Sequence, residues 1–232
     1  MNNCLKEELK KKAFTMRADL FGIAEVGKAS KYIRNNYNKE LWGFPRVVSM
    51  GVFLPVKIIN MLEKGPQQTY SYYYNVVNQK LDELAIMISN FIYKEGYNVL
   101  PIPASQQLSN DPYKGIFSHK ITAYLAGLGW IGKSSCLINE KVGPRLRLVT
   151  VLTDAPLEPD LPVANKCGKC TACMESCVPG AIKGISFKPE QELSDRFDPK
   201  LCEEYFNEMK IKHGIGHCGK CLAVCPYFRI SI

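Results

Sequence analysis

Apolar positions along the first half of the chain follow two periods, and each period predicts an element. Leu5, Leu9, Ala13 and Met16 recur every three or four residues, so 3–17 reads as an amphipathic helix with its lysines outward. A short strand is expected over 19–26, a mostly irregular stretch with a helical turn over 27–44, and an apolar strand over 46–54. Pro55 and the Gly65-Pro66 pair punctuate the segment after that strand. Val77, Leu81, Leu84, Ile88 and Phe91 then share one helical face, which predicts a helix over 69–95 capped by Gly96. A strand over 97–102 closes this half, bounded by Pro101 and Pro103.

Periodicity stops between 103 and 118, where Asn110-Asp111-Pro112 is a turn signal; irregular stretches of this length in compact domains are often functional. Ser118 caps an expected short helix over 119–126, which runs into Gly127-Leu128-Gly129-Trp130-Ile131-Gly132-Lys133. Two apolar stretches, 136–139 and 146–153, flank Gly143-Pro144 and read as strands paired with each other. Pro156, Pro159 and Pro162 then form a stiff connection. The pattern is that of an α+β chain, with a mixed α/β domain over 1–160 for cofactor and substrate and a second domain over 161–232.

Cysteine spacing decides the character of that second domain. Cys167, Cys170, Cys173 and Cys177 form one run, answered by Cys218, Cys221 and Cys225-Pro226. Three thiolates at intervals of three let one loop reach three corners of an iron-sulfur cube, and the next cysteine serves the other cube. Cys167, Cys170, Cys173 and Cys225 are therefore expected to hold one 4Fe-4S cluster. Cys177, Cys218 and Cys221 belong to a second, with Cys202, sixteen residues before Cys218, as its fourth ligand. Two Cys4 zinc sites are the bland alternative, since zinc ribbons also use CxxC pairs. A third cysteine at the same interval and a closing Cys-Pro are what zinc ribbons do not require. The run departs from the usual pattern at Val178, which stands where a proline is expected after Cys177, the proline coming at Pro179.

Composition narrows the class. The 232 residues are 46% hydrophobic, enough for a sizeable core, and the cluster segment leaves about 160 residues with another task. The charged N-terminus does not read as a signal peptide, and no apolar run approaches the roughly 18 residues of a membrane span. The expectation is a soluble, cytoplasmic protein with no membrane partner. The net charge of +8 invites a nucleic-acid partner, but Lys166, Lys169, Lys183 and Lys220 near two thiolate-ligated cubes offer a local explanation.

Two other features invite a cofactor. Tyr70, Tyr72, Tyr73 and Tyr74 could stack on a flat ligand, although tyrosines at a helix start more often pack with wet hydroxyls. Gly127, Gly129 and Gly132 satisfy G-x-G-x-x-G, but a helix precedes and a strand follows, the reverse of a dinucleotide fold. What remains is a turn whose backbone can approach a large ligand, with Lys133 able to meet a phosphate or carboxamide, against the plain reading of a tight turn that packs Trp130.

Ala126-Gly-Leu-Gly-Trp-Ile-Gly-Lys133, followed 34 residues later by the first cysteine run, resembles the epoxyqueuosine reductase family over most of the chain. The resemblance implies a corrinoid-binding-type α/β domain followed by a two-cluster ferredoxin-like domain. It also implies cobalamin against the glycine turn, with Gly127, Gly129, Trp130, Gly132 and Lys133 as cofactor-binding residues. Relatives acting on tRNA carry an aspartate ahead of that turn as proton donor; counting back, it falls at Tyr113, with Asp111 two places away and the following Glu-Arg pair at His119-Lys120. The chain also ends six residues after Pro226, ahead of the helical-repeat domain such enzymes carry. From these departures tRNA is not expected among the partners, nor efficient reduction of epoxyqueuosine.

Two functions lead, and tRNA modification as such, which rests on the resemblance and the modest basic charge, ranks third. One is a corrinoid-dependent reductase of an unknown small substrate, with Asp111, Tyr113 or His119 as catalytic proton donor; an unperturbed histidine titrates near neutrality. The other is an electron-transfer or activator protein that passes electrons to a partner corrinoid protein. Either needs an electron donor of ferredoxin or flavodoxin type.

Overall fold

The computed structural model describes residues 2–29, 43–108 and 111–229, of which 107–108 and 111–114 are described by backbone course. They fall into two compact units whose segments interleave along the chain: Met1–Val52, Val77–Gly129 and Arg147–Val163 in one, Phe53–Val76, Trp130–Leu146 and Ala164–Ile232 in the other. The C-terminal unit thus gathers the cysteine segment together with two earlier pieces, where periodicity alone suggests a single cut after residue 160.

In the first unit α1 (Asn2–Thr15) ends two residues before the expected boundary. Arg17 takes a left-handed conformation (φ 68°), and Arg17 N–H bonds Phe14 O while Ala18 N–H bonds Ala13 O, which closes the last turn. β1 (Leu20–Glu25) and β2 (Arg46–Phe53) pair antiparallel from Leu20↔Gly51 to Glu25↔Arg46. After α2 (Val56–Met61), a helix of the second unit, comes the long helix α3 (Gln68–Lys94), within a residue of its expected bounds. β3 (Val99–Ile102) follows, then a small hairpin of β4 (Gln107–Leu108) and β5 (Asp111–Gly115), where the sequence predicts no regular structure. α4 (His119–Leu125) starts on Ser118, whose Oγ accepts from Ile121 N–H.

The strands β6 (Trp130–Ile131) and β7 (Leu137–Ile138) pair with each other, and β8 (Leu146–Thr153) joins the main sheet in the order β1-β2-β8-β3. The stretches around 136–139 and 146–153 are therefore not partners. β8 is buried along nearly its whole length, which suits a central strand with a neighbour on each edge. The core of the first unit is made by Ile23, Val47, Val48, Met50, Val149 and Val151 of the sheet with Leu9, Leu81, Leu84 and Ile88 of the helices. α1 and α4 both pack on β1. Asp160 pins the proline-rich stretch to this unit through Lys6 Nζ at 2.7 Å and Ile23 N–H at 2.8 Å.

The second unit carries the short helices α5 (Ala172–Glu175), α7 (Lys220–Ala223) and α8 (Pro226–Arg229), and a longer one, α6 (Pro199–His213), that periodicity does not predict. Asp198 caps α6 by accepting from Lys200 and Leu201 N–H, and Gly214, at φ 69°, ends it. α7 packs on α2 and on α5. Among the described residues no helix is long and apolar enough to cross a membrane.

Candidate functional site

The two cysteine loops of the second unit are built alike. In the first, Cys170 N–H bonds Cys167 O at 3.1 Å to close a turn; α5 then carries Cys173, and Cys177 N–H bonds Met174 O. In the second, Leu222 N–H bonds Gly219 O at 3.0 Å, α7 carries Cys221, and Cys225 stands immediately before α8. Each loop carries one of its cysteines on a single helical turn, Cys173 on α5 and Cys221 on α7. Cys202 comes from the first turn of α6. None of the ten cysteines is in a disulfide.

Several of the thiols lie close enough to raise one another. Burial and then the neighbouring Cys167 push the Cys173 thiol up to about 11, with Cys170 adding to it. Burial and then Cys177 and Cys218 push Cys202 up to about 12. Cys218 is raised by burial and by Cys177, while the backbone N–H and the charge of Lys220 favour its thiolate. Cys221 is raised well above an ordinary thiol, first by a side-chain hydrogen bond with Cys136, then by burial, with Cys218 and Cys202 further off. Thiols that crowd in this way resist ionising together unless a positive centre joins them, and iron does so. The donor set therefore fits two clusters, Cys167, Cys170 and Cys173 at one, Cys177, Cys202, Cys218 and Cys221 at the other. Among the described residues no three Cys, His, Asp or Glu side chains converge as a single-ion site requires.

The glycine turn divides between structural tasks. Gly127, in the first unit, is the left-handed residue (φ 71°) that ends α4: its N–H bonds Tyr124 O, Leu128 N–H bonds Ala123 O, and a Cβ there would lie 2.6 Å from Leu161 O. Gly129 is buried in the same unit. In the second unit Trp130 is 1% exposed and meets Tyr227 edge to face at 4.8 Å. Its Nε1 is buried with no hydrogen-bond partner among the described residues. A Cβ on Gly132 would lie 2.8 Å from Ile138 and 3.5 Å from Cys167 Sγ, so the glycine lets this turn close on the first cysteine loop. Lys133 Nζ donates to Cys170 O at 3.0 Å. Lys133, read from sequence as a phosphate contact, is thus engaged with the cysteine loop.

The three candidate proton donors separate. Asp111 and Tyr113 stand on β5, Asp111 opposite Leu108 beside a register shift, and their side chains lie outside the described atoms. His119 is committed within its own unit: Nε2 donates to Pro103 O at 3.0 Å, and Nδ1 lies 2.8 Å from Thr150 Oγ1. The carbonyl can only accept, which assigns the ring proton to Nε2. Burial, opposed in part by that carbonyl, lowers its pKa to about 4. The ring is neutral at physiological pH and its one proton is held, which takes His119 out of the donor role.

The tyrosines also divide. Tyr70 is buried, Tyr74 stacks on His217 at 3.9 Å, and Tyr72 and Tyr73 are exposed. Residues that spacing does not mark complete the site. Ser135, at φ 60°, is buried in a conformation a side chain rarely adopts, and its Oγ accepts from Nη1 of buried Arg196 at 2.7 Å. Cys136, next to it, reaches Cys221.

Comparison with known proteins agrees with this centre. Residues 166–228 match the family of 4Fe-4S double cluster binding domains. An epoxyqueuosine reductase of Lactococcus garvieae is 28% identical over 229 residues, 91% of this chain and 62% of that protein. A solved epoxyqueuosine reductase bound to an epoxyqueuosine-modified tRNA-Tyr stem loop superposes with a TM-score of 0.64, at 19% identity, over 98% of this chain and 66% of that one. A reductive dehalogenase, whose structure bears on B12-dependent dehalogenation, superposes at 0.75, 18% identical, over 100% of this chain and 33% of the other. The chain spans between 30% and 62% of the length of the curated relatives it matches. The tRNA-bound relative overturns the expectation that tRNA is not a partner. A protein sharing the fold of almost this entire chain holds a tRNA stem loop, so the register of one aspartate does not exclude such a substrate.

Proposed function

We propose, for a chain that belongs to the epoxyqueuosine reductase-like family, that this iron-sulfur oxidoreductase reduces epoxyqueuosine in tRNA, fed with single electrons by its two clusters. The observation that carries the reading is the eight-cysteine set, joined in one chain to a match that extends over 91% of its length to an epoxyqueuosine reductase. Reduction of an epoxide to an alkene consumes two electrons and two protons and releases water. The chain must therefore supply electrons, through Cys167, Cys170, Cys173 and Cys225 at one cluster and Cys177, Cys202, Cys218 and Cys221 at the other, and a proton for the departing oxygen.

A bound cobalamin would supply a low-potential metal centre for the carbon-oxygen bond. The residues that would hold it are those the resemblance implies, Gly127, Gly129, Trp130, Gly132 and Lys133, of which Lys133 also donates to Cys170 O. Support lies in the fold shared with a reductive dehalogenase whose structure bears on B12-dependent dehalogenation, and in a buried indole N–H without a hydrogen-bond partner among the described residues. For the proton we assign Asp111, which opens β5 beside the irregular register of its hairpin. Such irregularities re-aim side chains near active sites, and in one solved epoxyqueuosine reductase the catalytic aspartate loop is itself found swung out of the active site. A carboxyl group suits this better than Tyr113, whose unperturbed pKa is about 10. The test is a single-turnover assay of the reduced, cobalamin-loaded protein with an epoxyqueuosine-containing stem loop. Conversion is expected, lowered about 10²–10⁴-fold by Asp111→Ala and little changed by Tyr113→Phe. No conversion by the parent, or an unchanged rate in the aspartate variant, contradicts the assignment.

A small-molecule substrate is the second reading, supported by the fold shared with reductive dehalogenases, one of them solved with 3-bromo-4-hydroxybenzoic acid. It predicts reduction of a halogenated phenol in place of the stem loop.

A further inference from the structure

We propose that Lys133 is a positioning residue for the first cluster: its ammonium, held on the backbone of Cys170, is a fixed positive charge that raises the reduction potential of the cluster carried by Cys167, Cys170, Cys173 and Cys225. The proposal rests on the assignment of those four cysteines to a 4Fe-4S cluster and needs no corrinoid.

The turn that carries Lys133 is fixed against the first cysteine loop at several independent points, all within one unit. Gly132 leaves no room for a side chain, since a Cβ there would lie 2.8 Å from Ile138 and 3.5 Å from Cys167 Sγ. The Asn165 amide bridges the two pieces: its Oδ1 accepts from Cys167 N–H at 2.9 Å, and its Nδ2 donates to Ile131 O at 3.1 Å. Lys166 of the loop pairs with Glu140, which follows the turn. Ser135 N–H bonds Gly132 O at 2.9 Å, and Ser135 Oγ accepts from Arg196 Nη1 at 2.7 Å. The lysine is thereby anchored at both ends, by this turn and by the 3.0 Å bond from Nζ to Cys170 O.

The carbonyl can only accept, so the ammonium donates and its charge is kept within one residue of a ligating sulfur. Lys133 is half-buried, and among the described residues no carboxylate pairs with it. Lys169, on the loop itself, is exposed, where water and salt screen its charge. A cube held by four thiolates is already negative, and reduction adds one more electron. The attraction of a fixed positive charge grows with that electron, so the reduced form gains more than the oxidised form.

The experiment is a potentiometric titration, read by electron paramagnetic resonance, of the anaerobically reconstituted full chain without added cobalamin and of its Lys133→Met, Lys133→Gln and Lys133→Arg variants. A Cys202→Ser chain, impaired at the second cluster, identifies the signal of the first. Lys133→Met is expected to keep both clusters and to lower the one-electron equilibrium constant for reducing the first by up to about tenfold, about 59 mV. Lys133→Gln, a donor without charge, should fall with the methionine variant, whereas Lys133→Arg stays close to the parent. The second cluster serves as internal reference. Unmoved potentials, equal movement of both clusters, or an arginine variant as low as methionine overturn the proposal. A glutamine variant that matches the parent also overturns it, because the hydrogen bond and not the charge would then set the potential. Loss of the first cluster in Lys133→Met counts against it too, since the lysine would then hold the loop together without tuning it. A parent chain that binds no iron would overturn the cluster assignment as well, so the two failures are distinguishable.

Discussion

His119 shows how one side chain changes meaning when its neighbours are known. A histidine just ahead of a glycine turn invites a proton-transfer role, yet its two nitrogens are taken by Pro103 O and Thr150 Oγ1 and its pKa is lowered to about 4. The sign of the consequence is fixed. The unfolded chain takes up a proton near 6.5 and the folded chain only near 4, so the stability this residue contributes is complete above pH 6.5 and is lost as pH falls toward 4. Denaturation of the parent and of His119→Gln across that range should show a stability gap that is constant above 6.5 and narrows below it; a gap independent of pH contradicts the assignment. The ligand cysteines, in contrast, are legible at this scale, because a cluster needs thiols at short fixed intervals and the chain writes those intervals directly. Cys136 is not, since its contact with Cys221 exists only once the turn carrying it has folded over the loops.

Elements were legible to the degree that their partners are local. The helix 68–94 and the strands 20–25 and 46–53 follow from period alone, and Ser118 caps its helix as expected. The pairing of 146–153 with 99–102, and not with its neighbour 137–138, is decided by burial at long range. The helix 199–213 escapes periodicity because several of its apolar residues remain partly open to solvent, Leu201 and Ile211 among them. Its boundaries are nevertheless written in Asp198-Pro199 and Gly214. This cap matters to the site because Cys202 lies in the first turn. Asp198→Ala should cost about 1 kcal/mol, read as faster bleaching of the second cluster's visible absorption in urea with the first cluster less affected. Equal bleaching of both would argue that α6 does not hold Cys202 in place.

For the whole molecule, an α+β chain with a C-terminal two-cluster segment is visible in the sequence, whereas the recruitment of 53–76 and 130–146 to the cysteine unit is not. These pieces supply α2, which packs on the helix carrying Cys221, and the turn that closes on Cys167, so the cluster unit is built from three separated stretches. The inference against tRNA failed for a related reason: it weighed the register of single residues in a stretch that folds as an irregular hairpin, where register is a poor guide. The reductase reading stands on the two clusters, and the most direct measurement is the iron and acid-labile sulfide content of the anaerobically reconstituted chain beside its Cys202→Ser variant. Two 4Fe-4S clusters predict eight of each per parent chain, falling to about half in the variant as the second cluster is lost and the first is kept. Zinc in place of iron, or a Cys202→Ser chain with its full complement, would contradict the account.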